Sequence, residues 1–444
     1  MKFLPMLLPF SLIVSAMLSP AGEEEETLKG KAVKFPRAPE SQTSRLSTRH
    51  AVGERLQFGS GVFPVRTNGK KLLIATKPGG PISKTVKVGK PVNLAWTQDG
   101  KRRKLTVGFE PSASGEWQYY VASSYRYKLC GQELSLVDCN GDGEFGSYAE
   151  DGYCYGDSTA VCPLAEELVI GTSIVTIHEV APDGSSLTAS WTPIKGNEQQ
   201  LKYLQQLNQL RALNGLTQVR LNPELCRGCT EHAEYLVKIG WDISKNPYPK
   251  NLEAKGESAE CAYSAKKSQV LASPPDEGAL ESWSGYRLRL HSMRPELESV
   301  GVNASPDHLS VTNLAGVLQA MGESIEGWDE PIVVPASGSV AFPTKVMGLT
   351  RNDPVPDFSS RGAPILLHFP DDYAPITDFS GTLSKIKGKR REDVPILYGA
   401  PHKDWILIGL VPVKPLEEKT WYEAEFHYEV GEQSHVRTTR FMTE

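Results

Sequence analysis

The sequence predicts a multidomain α+β protein, with a helix-containing segment between two β-rich regions. The chain has 444 residues, which is too long for a single hydrophobic core. Its 39 Gly and 32 Pro residues favour β modules with frequent turns. Leucines recur at every third position from Leu201 to Leu213, which indicates an amphipathic helix in the middle of the chain.

Composition and charge limit the classes of partner. A hydrophobic content of 39% and a charged content of 23% are typical of a globular protein. The net charge of −5 gives no general attraction to nucleic acid, so we expect no nucleic-acid partner. Two basic runs, Lys101–Lys104 and Lys385–Arg391, are either solvated hairpin tips or binding sites for an anionic glycan or lipid.

The N-terminus has the features of an export signal, assigned to residues 1–21. A lysine precedes the short apolar stretch Phe3–Ala16, and Ala16 or Ala21 ends a small-residue cleavage site. The stretch is shorter than the roughly 20 residues of a membrane-spanning helix. We expect export to the periplasm, the cell surface or the medium, with no membrane span after cleavage. Residues 22–50 begin with the acidic run Glu23–Glu26, contain scattered Pro, Ser and Thr and are poor in apolar residues, and we predict a disordered tether.

The region 51–194 is predicted to be an all-β domain. Segments of β-branched and aromatic residues alternate with Asp–Gly turns at 99–100 and 183–184. His178 lies in one such segment, and we interpret it as a hydrogen-bonded strand residue.

An acidic loop inside this region could bind calcium. Asp138, Asn140 and Asp142 place oxygen atoms at alternate positions, and Gly143 allows the sharp turn that a calcium loop needs. The position of the bidentate acid in an EF-hand is occupied by Ala149, so a plain solvated turn is the alternative. The candidate ligands are Asp138, Asn140, Asp142, Glu144, Glu150 and Asp151.

The seven cysteines are candidates for disulfide bonds if the chain is exported. Four of them lie in the first β region: Cys130, Cys139, Cys154 and Cys162. They allow three pairings, between which the sequence does not choose. In the central segment Cys226 or Cys229 could pair with Cys261, which would leave one cysteine over.

A second helix is predicted to follow the leucine-rich one. Asn222 and Pro223 are a capping residue and a favoured first residue, and Gly215 and Gly240 end the two helices. The apolar stripe of the second helix consists of Leu225, Cys229, His232, Leu236 and Ile239. His232 is therefore interpreted as a packed core histidine.

Four stretches of the segment 196–325 resemble one family in order, spacing and residue type. They read QLNQLRALNGL, NPELCRGCTEHAEYLVKIG, GES and WSGYRLRLHSMRPELESVGVN. This resembles the CAP superfamily of cysteine-rich secretory, antigen 5 and pathogenesis-related-1 proteins. The resemblance implies a secreted α/β/α sandwich with a polar cleft that binds metal or lipid and is lined by two histidines and two acids.

The cleft residues carry over only in part. Glu257 matches one acid, but the stretch 241–252 lacks the first histidine. Either Tyr286 replaces the second histidine, with Arg287 in register, or His291 fills that role in a shifted loop. Glu281 or Glu296 would supply the other acid.

A zinc centre needs about three protein ligands, so zinc is not expected here. The remaining catalytic candidates are Glu257 and His291.

The last region, 331–444, is predicted to be a β-sandwich. Its strand pattern resembles the final strands of an immunoglobulin- or fibronectin-like module, with Leu416, Trp421, Tyr422 and Phe426 as core candidates. We interpret the whole chain as a non-catalytic extracellular or cell-envelope binding module. The alternative is a metal-dependent hydrolase or a lipid-binding protein that uses a partly preserved cleft.

Overall fold

The computed structural model describes residues 25–35, 37–42, 46–68, 71–112, 114–239, 258–259, 261, 268–272, 292–295, 297–304, 316–321, 330–345, 355, 360–370, 376–388, 390–399 and 407–444. Over these residues the chain is mainly β, with 30 strands and two helices arranged in three successive modules. None of the described helices is long and apolar enough to cross a membrane. The export signal at residues 1–21 lies outside the described residues.

The first module consists of strands in four sheets. The strands are β1 Glu26–Lys29, β2 Lys31–Lys34, β3 Glu40–Ser41, β4 His50–Ala51, β5 Arg55–Phe58, β6 Gly61–Asn68, β7 Lys71–Ile74, β8 Lys84–Thr85, β9 Val92–Gln98, β10 Lys101–Pro111, β11 Trp117–Val121, β12 Ser123–Leu129, β13 Gln132–Val137, β14 Gly152–Tyr155, β15 Ala160–Pro163, β16 Glu167–Ile170, β17 Ser173–Val180 and β18 Ser186–Pro193. The sheet orders are β1-β18-β17-β16, β4-β11-β10-β9, β5-β6-β7-β8 and β2-β12-β13-β14-β15-β3.

The N-terminal residues are a folded part of this module, so the predicted disordered tether is wrong for the described residues from 25 onward. Each of β1 to β4 lies at the edge of a sheet, and they pair with β18, β12, β15 and β11 respectively. We call residues 26–51 the N-terminal strap. Its strands form backbone hydrogen bonds with the open edges of other strands, and its own Phe35 and Leu46 are buried against Val137 and Val161.

The central module contains both helices and one four-stranded sheet. Its elements are α1 Glu198–Leu213, β19 Arg220–Leu221, α2 Pro223–Lys238, β20 Ser268–Ala272, β21 Ser299–Ala304 and β22 Gly316–Met321, with the sheet order β19-β21-β22-β20. Both predicted helices are confirmed. Asn197 and Gln200 form a capping box on α1, and Asn222 caps α2. Gly215 follows α1 with φ +68°, a conformation that favours glycine.

The two helices lie on opposite faces of β21. Val300 and Val302 share a core with α1, whereas Gly301 faces α2 so closely that an added Cβ would lie 2.4 Å from the Leu225 carbonyl carbon. His232 is fully buried, as predicted, but Ile239 is 43% exposed and does not belong to the apolar stripe. The complete α/β/α sandwich stays a prediction, because much of 240–330 lies outside the described residues.

The third module has two four-stranded sheets that share one core. Its strands are β23 Ile332–Val334, β24 Ile365–His368, β25 Ile376–Lys387, β26 Arg390–Asp393, β27 Ile396–Gly399, β28 Leu407–Pro412, β29 Trp421–Val430 and β30 Gln433–Met442, in the orders β23-β24-β28-β27 and β26-β25-β29-β30. Leu416, Tyr422 and Phe426 are buried as predicted. Trp421 is not a core residue, because it alternates with Tyr422 on β29 and points to the outer face. The immunoglobulin- or fibronectin-like class stays a prediction.

The turn after α1 joins all three modules. We call Asn214–Leu216 the junction loop. On one side the Cys162 thiol of the first module donates to the Leu216 carbonyl at 3.4 Å. On the other, the Asn214 side-chain oxygen accepts from the Ala336 amide at 2.9 Å. The Leu216 side chain packs into a cluster with Ile332 and other residues of the third module.

Candidate functional site

The acidic loop connects β13 to β14, and its two end acids point inward. Asp138 is 2% exposed, and its two oxygens accept hydrogen bonds from the amides of Gly141 at 2.7 Å and Gly143 at 2.8 Å. Asp151 is 1% exposed and accepts from the amides of Cys139, Gly146 and Ser147 at 2.9 to 3.0 Å. Five backbone donors therefore converge on two buried carboxylates.

Burial is the main influence on the protonation of both acids. It raises the pKa of Asp151 to about 6, although the three amides that donate to Asp151 act in the opposite direction. The pKa of Asp138 is raised well above its ordinary value, first by burial and then by the charge of Asp151. These two carboxyls organise the loop backbone, which is a structural role.

The other polar candidates face outward. The Asn140 side-chain nitrogen donates to Asp142 Oδ2 and to Glu150 Oε2, both at 3.1 Å. Glu144 Oε1 accepts from the side chain of Gln98 at 3.3 Å. Among the described residues, no three His, Cys, Asp or Glu side chains are grouped so that they could hold a metal ion. The six predicted ligands thus divide into two inward acids and four outward groups, and calcium binding stays a prediction.

Two aromatic rings support the loop from beneath. The His50 Nε2 atom donates to the Cys139 carbonyl at 2.8 Å, and its ring lies 5.2 Å from that of Tyr119. The Tyr119 hydroxyl donates to the Gly141 carbonyl at 3.2 Å. Gly141 has φ +74°, and a Cβ there would lie 2.5 Å from the His50 ring. Sequence reasoning missed both supports, because they come from β4 and β11 and no local pattern links them to the loop.

A pocket adjoins the acidic loop on the side of the first basic run. Its lining includes Gln98, Arg103, Glu144 and Asp183, so it carries charges of both signs. Arg103 forms an ion pair with Asp183 at 3.3 Å. The pocket is therefore close to electrically balanced and is not a cationic groove.

In the central module, a buried guanidinium ties α1 to the segment before β21. Arg211 has no exposed surface, and it donates to the carbonyls of Thr217 at 2.7 Å and Ser292 at 2.6 Å. Further hydrogen bonds reach the carbonyls of Arg294 and Leu297, at 3.0 and 3.3 Å. Arg211 is the arginine of the LNQLR stretch, and residues 292–297 belong to the last stretch that suggested a family.

Comparison with known families agrees with this arrangement. Residues 204–308 match the family described as CAP, the cysteine-rich secretory protein family. The chain contains a CAP domain. The match begins within α1 and covers α2 and the Arg211 contacts, and the CAP domain is one part of a larger protein.

Comparisons over whole chains add little to this. Two crystal structures of the copper resistance protein PcoC from Escherichia coli are similar to parts of the chain. The first is 18% identical with a TM-score of 0.18, and it covers 25% of this chain and 95% of that one. The second is 15% identical with a TM-score of 0.17, covering 19% and 83%. Sequence identities and TM-scores this low do not show a shared fold or function. No curated protein matches the chain significantly.

An acid on α2 contacts the described residues that follow Glu257 in the chain. The Ser258 hydroxyl donates to the carboxylate of Glu231, and Ser258 Oγ accepts from the Cys261 amide at 2.9 Å. Glu231 was not predicted as a site residue, since it lies one position away from the buried stripe of α2. The predicted cleft residues Glu257, Tyr286, Arg287 and His291 lie outside the described residues, as do Glu281 and Glu296.

All seven cysteines are described, and none forms a disulfide bond in this structure. Cys139 and Cys154 share one buried cluster, whereas Cys162 faces the junction loop. In the CAP domain Cys226 Sγ accepts from the Val302 amide at 3.4 Å, and Cys229 and Cys261 are fully buried. The predicted pairings stay predictions.

Proposed function

We propose that this is an exported, non-catalytic protein in which a CAP domain serves as the central scaffold of an extracellular or cell-envelope binding module. The observation that carries the proposal is the junction loop. Asn214 and Leu216 are bonded to the β modules on both sides, so the CAP domain is held between them in a fixed position. A scaffold domain requires such contacts with the modules on both sides, whereas a free-standing enzyme domain does not.

The sequence of the cleft supports the same proposal. In one of the two possible registers Tyr286 stands where the resemblance places a histidine, and in either register the stretch 241–252 contains no histidine. With Glu257 as the one matched acid, fewer than the about three ligands of a zinc site are in place. The competing function, a metal-dependent hydrolase, would use Glu257 and His291.

Zinc titration of the full chain by calorimetry separates these functions. The full chain is required because α1 shares its core with both neighbours. The proposal expects no stoichiometric binding. Stoichiometric binding that Glu257→Ala and His291→Ala each abolish would contradict it and favour the hydrolase. Export is tested separately, by cell fractionation of chains with and without residues 1–21.

We also propose that the outward face of the acidic loop binds calcium weakly. Asn140, Asp142 and Glu150 are the proposed ligands, because Asp138 and Asp151 are occupied by backbone amides. Extracellular sites of this kind bind at roughly 0.1–1 mM. Millimolar calcium is expected to raise the melting temperature by a few degrees, since a bound ion would replace repulsion between carboxylates by attraction.

The calcium test compares two charge-neutralising variants by thermal melting. Asp142→Asn should remove the calcium-dependent shift, whereas Glu116→Gln, an exposed acid elsewhere in the module, should retain it. Equal shifts in both variants would show that calcium acts through general screening and would overturn the site.

A further inference from the structure

An arginine whose guanidinium has no hydrogen-bond partner among the described residues lies where the N-terminal strap meets the third module. Arg440 is on β30, and its guanidinium carbon lies 5.5 Å from the centre of the Trp421 ring. Its Nε atom is buried and has no hydrogen-bond partner. Among the described residues, no ion pair reaches this side chain. Burying an unsatisfied donor is costly, and the guanidinium of Arg440 as a whole keeps donor capacity that no described residue uses.

The acids close to Arg440 already pair with other arginines. Glu423 is its cross-strand neighbour, but it forms an ion pair with Arg391 at 2.7 Å. Glu40 of the strap pairs with Arg49 at 2.8 Å. The carboxylates nearest to Arg440 therefore belong to neighbouring ion pairs, and a positive charge remains in excess.

The strap brings another arginine to the same place. The Glu40 amide donates to the Thr159 carbonyl at 2.8 Å, and the Thr159 amide donates to the Gly338 carbonyl at 3.1 Å. The Gly338 amide in turn donates to the Arg440 carbonyl at 2.7 Å. This series of bonds holds the strap against β30, and the exposed Arg37 lies three residues before Glu40.

The electrostatics agree with this geometry. The pKa of Arg440 is lowered, first by burial and then by the positive charge of Arg37. Arg391 lowers it further, whereas the carboxylates of Glu423 and Glu40 act in the opposite direction without reversing the shift. Three guanidinium groups from two modules thus act on one point. A guanidinium presents planar N–H donors that match the oxygens of a phosphate or sulfate group.

We propose that Arg440, flanked by Arg37 and Arg391, binds a phosphate or sulfate group at the contact between the N-terminal strap and the third module. The identity of the biological molecule that bears this phosphate or sulfate group depends on the proposed envelope-binding function. Binding of the anion itself does not. A chain that binds phosphate but fails to be exported would keep this site and lose the proposed function.

The test is a calorimetric titration of the full chain with inorganic phosphate and, separately, with a sulfated oligosaccharide. Arg440→Gln and Arg37→Gln should each weaken binding by about fivefold or more, because each removes a charged donor. The matched control is Arg66→Gln, which removes the same charge from an exposed position on β6 outside both basic runs and should change binding by less than about twofold. Arg37 is exposed, so its variant keeps the test valid if Arg440→Gln fails to fold.

The two probes distinguish a free ion from a polymer as the source. Binding of either probe that depends on Arg440 and Arg37 supports the site. Equal weakening by all three substitutions would indicate non-specific attraction and overturn it. Absence of saturable binding to both probes, or binding only to phosphatidylglycerol vesicles, would overturn it as well.

Discussion

Arg211 in the CAP domain and the acid pair Asp138 and Asp151 in the first module are buried side chains of opposite charge. Both are stabilised by hydrogen bonds with backbone groups. Arg211 is buried and donates to four backbone carbonyls. The two aspartates are buried and accept from five backbone amides. In each case several groups of the polypeptide backbone surround the charge.

The difference between these two sites lies in protonation. A guanidinium stays protonated at every physiological pH, so the Arg211 site has no neutral form. A buried carboxyl can take up a proton, and burial favours the neutral form. Hydrogen bonds between the backbone and a buried arginine are therefore kept at every physiological pH. Those between the backbone and a buried aspartate depend on pH.

The largest effect is expected from removing the buried cation. Arg211→Met keeps much of the side-chain length but leaves four carbonyls without their donor, and should reduce the free energy of unfolding by more than about 3 kcal/mol. Arg211→Lys keeps the charge without the planar fork and should recover part of that loss. Urea unfolding of both variants measures the change in the free energy of unfolding. A loss below about 1 kcal/mol for Arg211→Met would show that the four hydrogen bonds of Arg211 do not stabilise the fold as expected.

The acid pair should make stability depend on pH in a defined direction. The pKa of Asp151 is about 6 in the folded state, above its unfolded value of roughly 3.9. The folded state therefore holds the proton more tightly, and its advantage is present below pH 4 and lost as the pH rises through 6. Between those values we expect a loss of up to about 2–3 kcal/mol.

Comparison of wild type with Asp151→Asn isolates this effect. Burial lowers the pKa of the nearby His50, whose titration acts in the opposite direction and cancels in the difference between the two proteins. The difference in unfolding free energy should change between pH 4 and 6.5. A difference that stays constant with pH would refute the assignment.

A smaller effect on stability is expected when Asp138 loses one of its two hydrogen-bond-accepting oxygens. Asp138→Asn leaves one oxygen for the two amides of Gly141 and Gly143, and should cost about 1–2 kcal/mol. Asp142→Asn, on the exposed face of the same loop, should cost less than about 0.5 kcal/mol. Thermal melting in the absence of calcium measures both. Equal costs would mean that the inward and outward acids do not differ.

Local sequence patterns predicted the helices well. The predicted cap Asn222 and the glycine after α1 act within one turn of the backbone, so their effects can be inferred from neighbours in the chain. The capping box of Asn197 was not predicted. Arg211 belongs to a stretch that resembles the CAP family, but its burial was not predicted. Its partners are backbone carbonyls, such as those of Thr217 and Ser292, which no residue type marks.

The acidic loop could be located but its roles could not be assigned. Alternating Asp and Asn followed by Gly suits a calcium loop, and it equally suits a turn whose side chains bind their own backbone. The choice depends on which carboxylates the core buries, and the burial of Asp138 and Asp151 is set by β13, β14 and the aromatic rings beneath. The strap was missed for a related reason, since its strands are defined by the open edges of distant partners.

The strap also imposes an order on folding. Glu26 pairs with Ala189, and Lys34 pairs with Ser123, so the earliest residues of the module must wait for strands made much later. Contacts so far apart in sequence close slowly. During synthesis or translocation, the edges of β18, β12, β15 and β11 stay open until the strap is in place, and this interval is when the chain is most exposed to wrong strand pairing. The first residues to emerge would thus be among the last to find their positions.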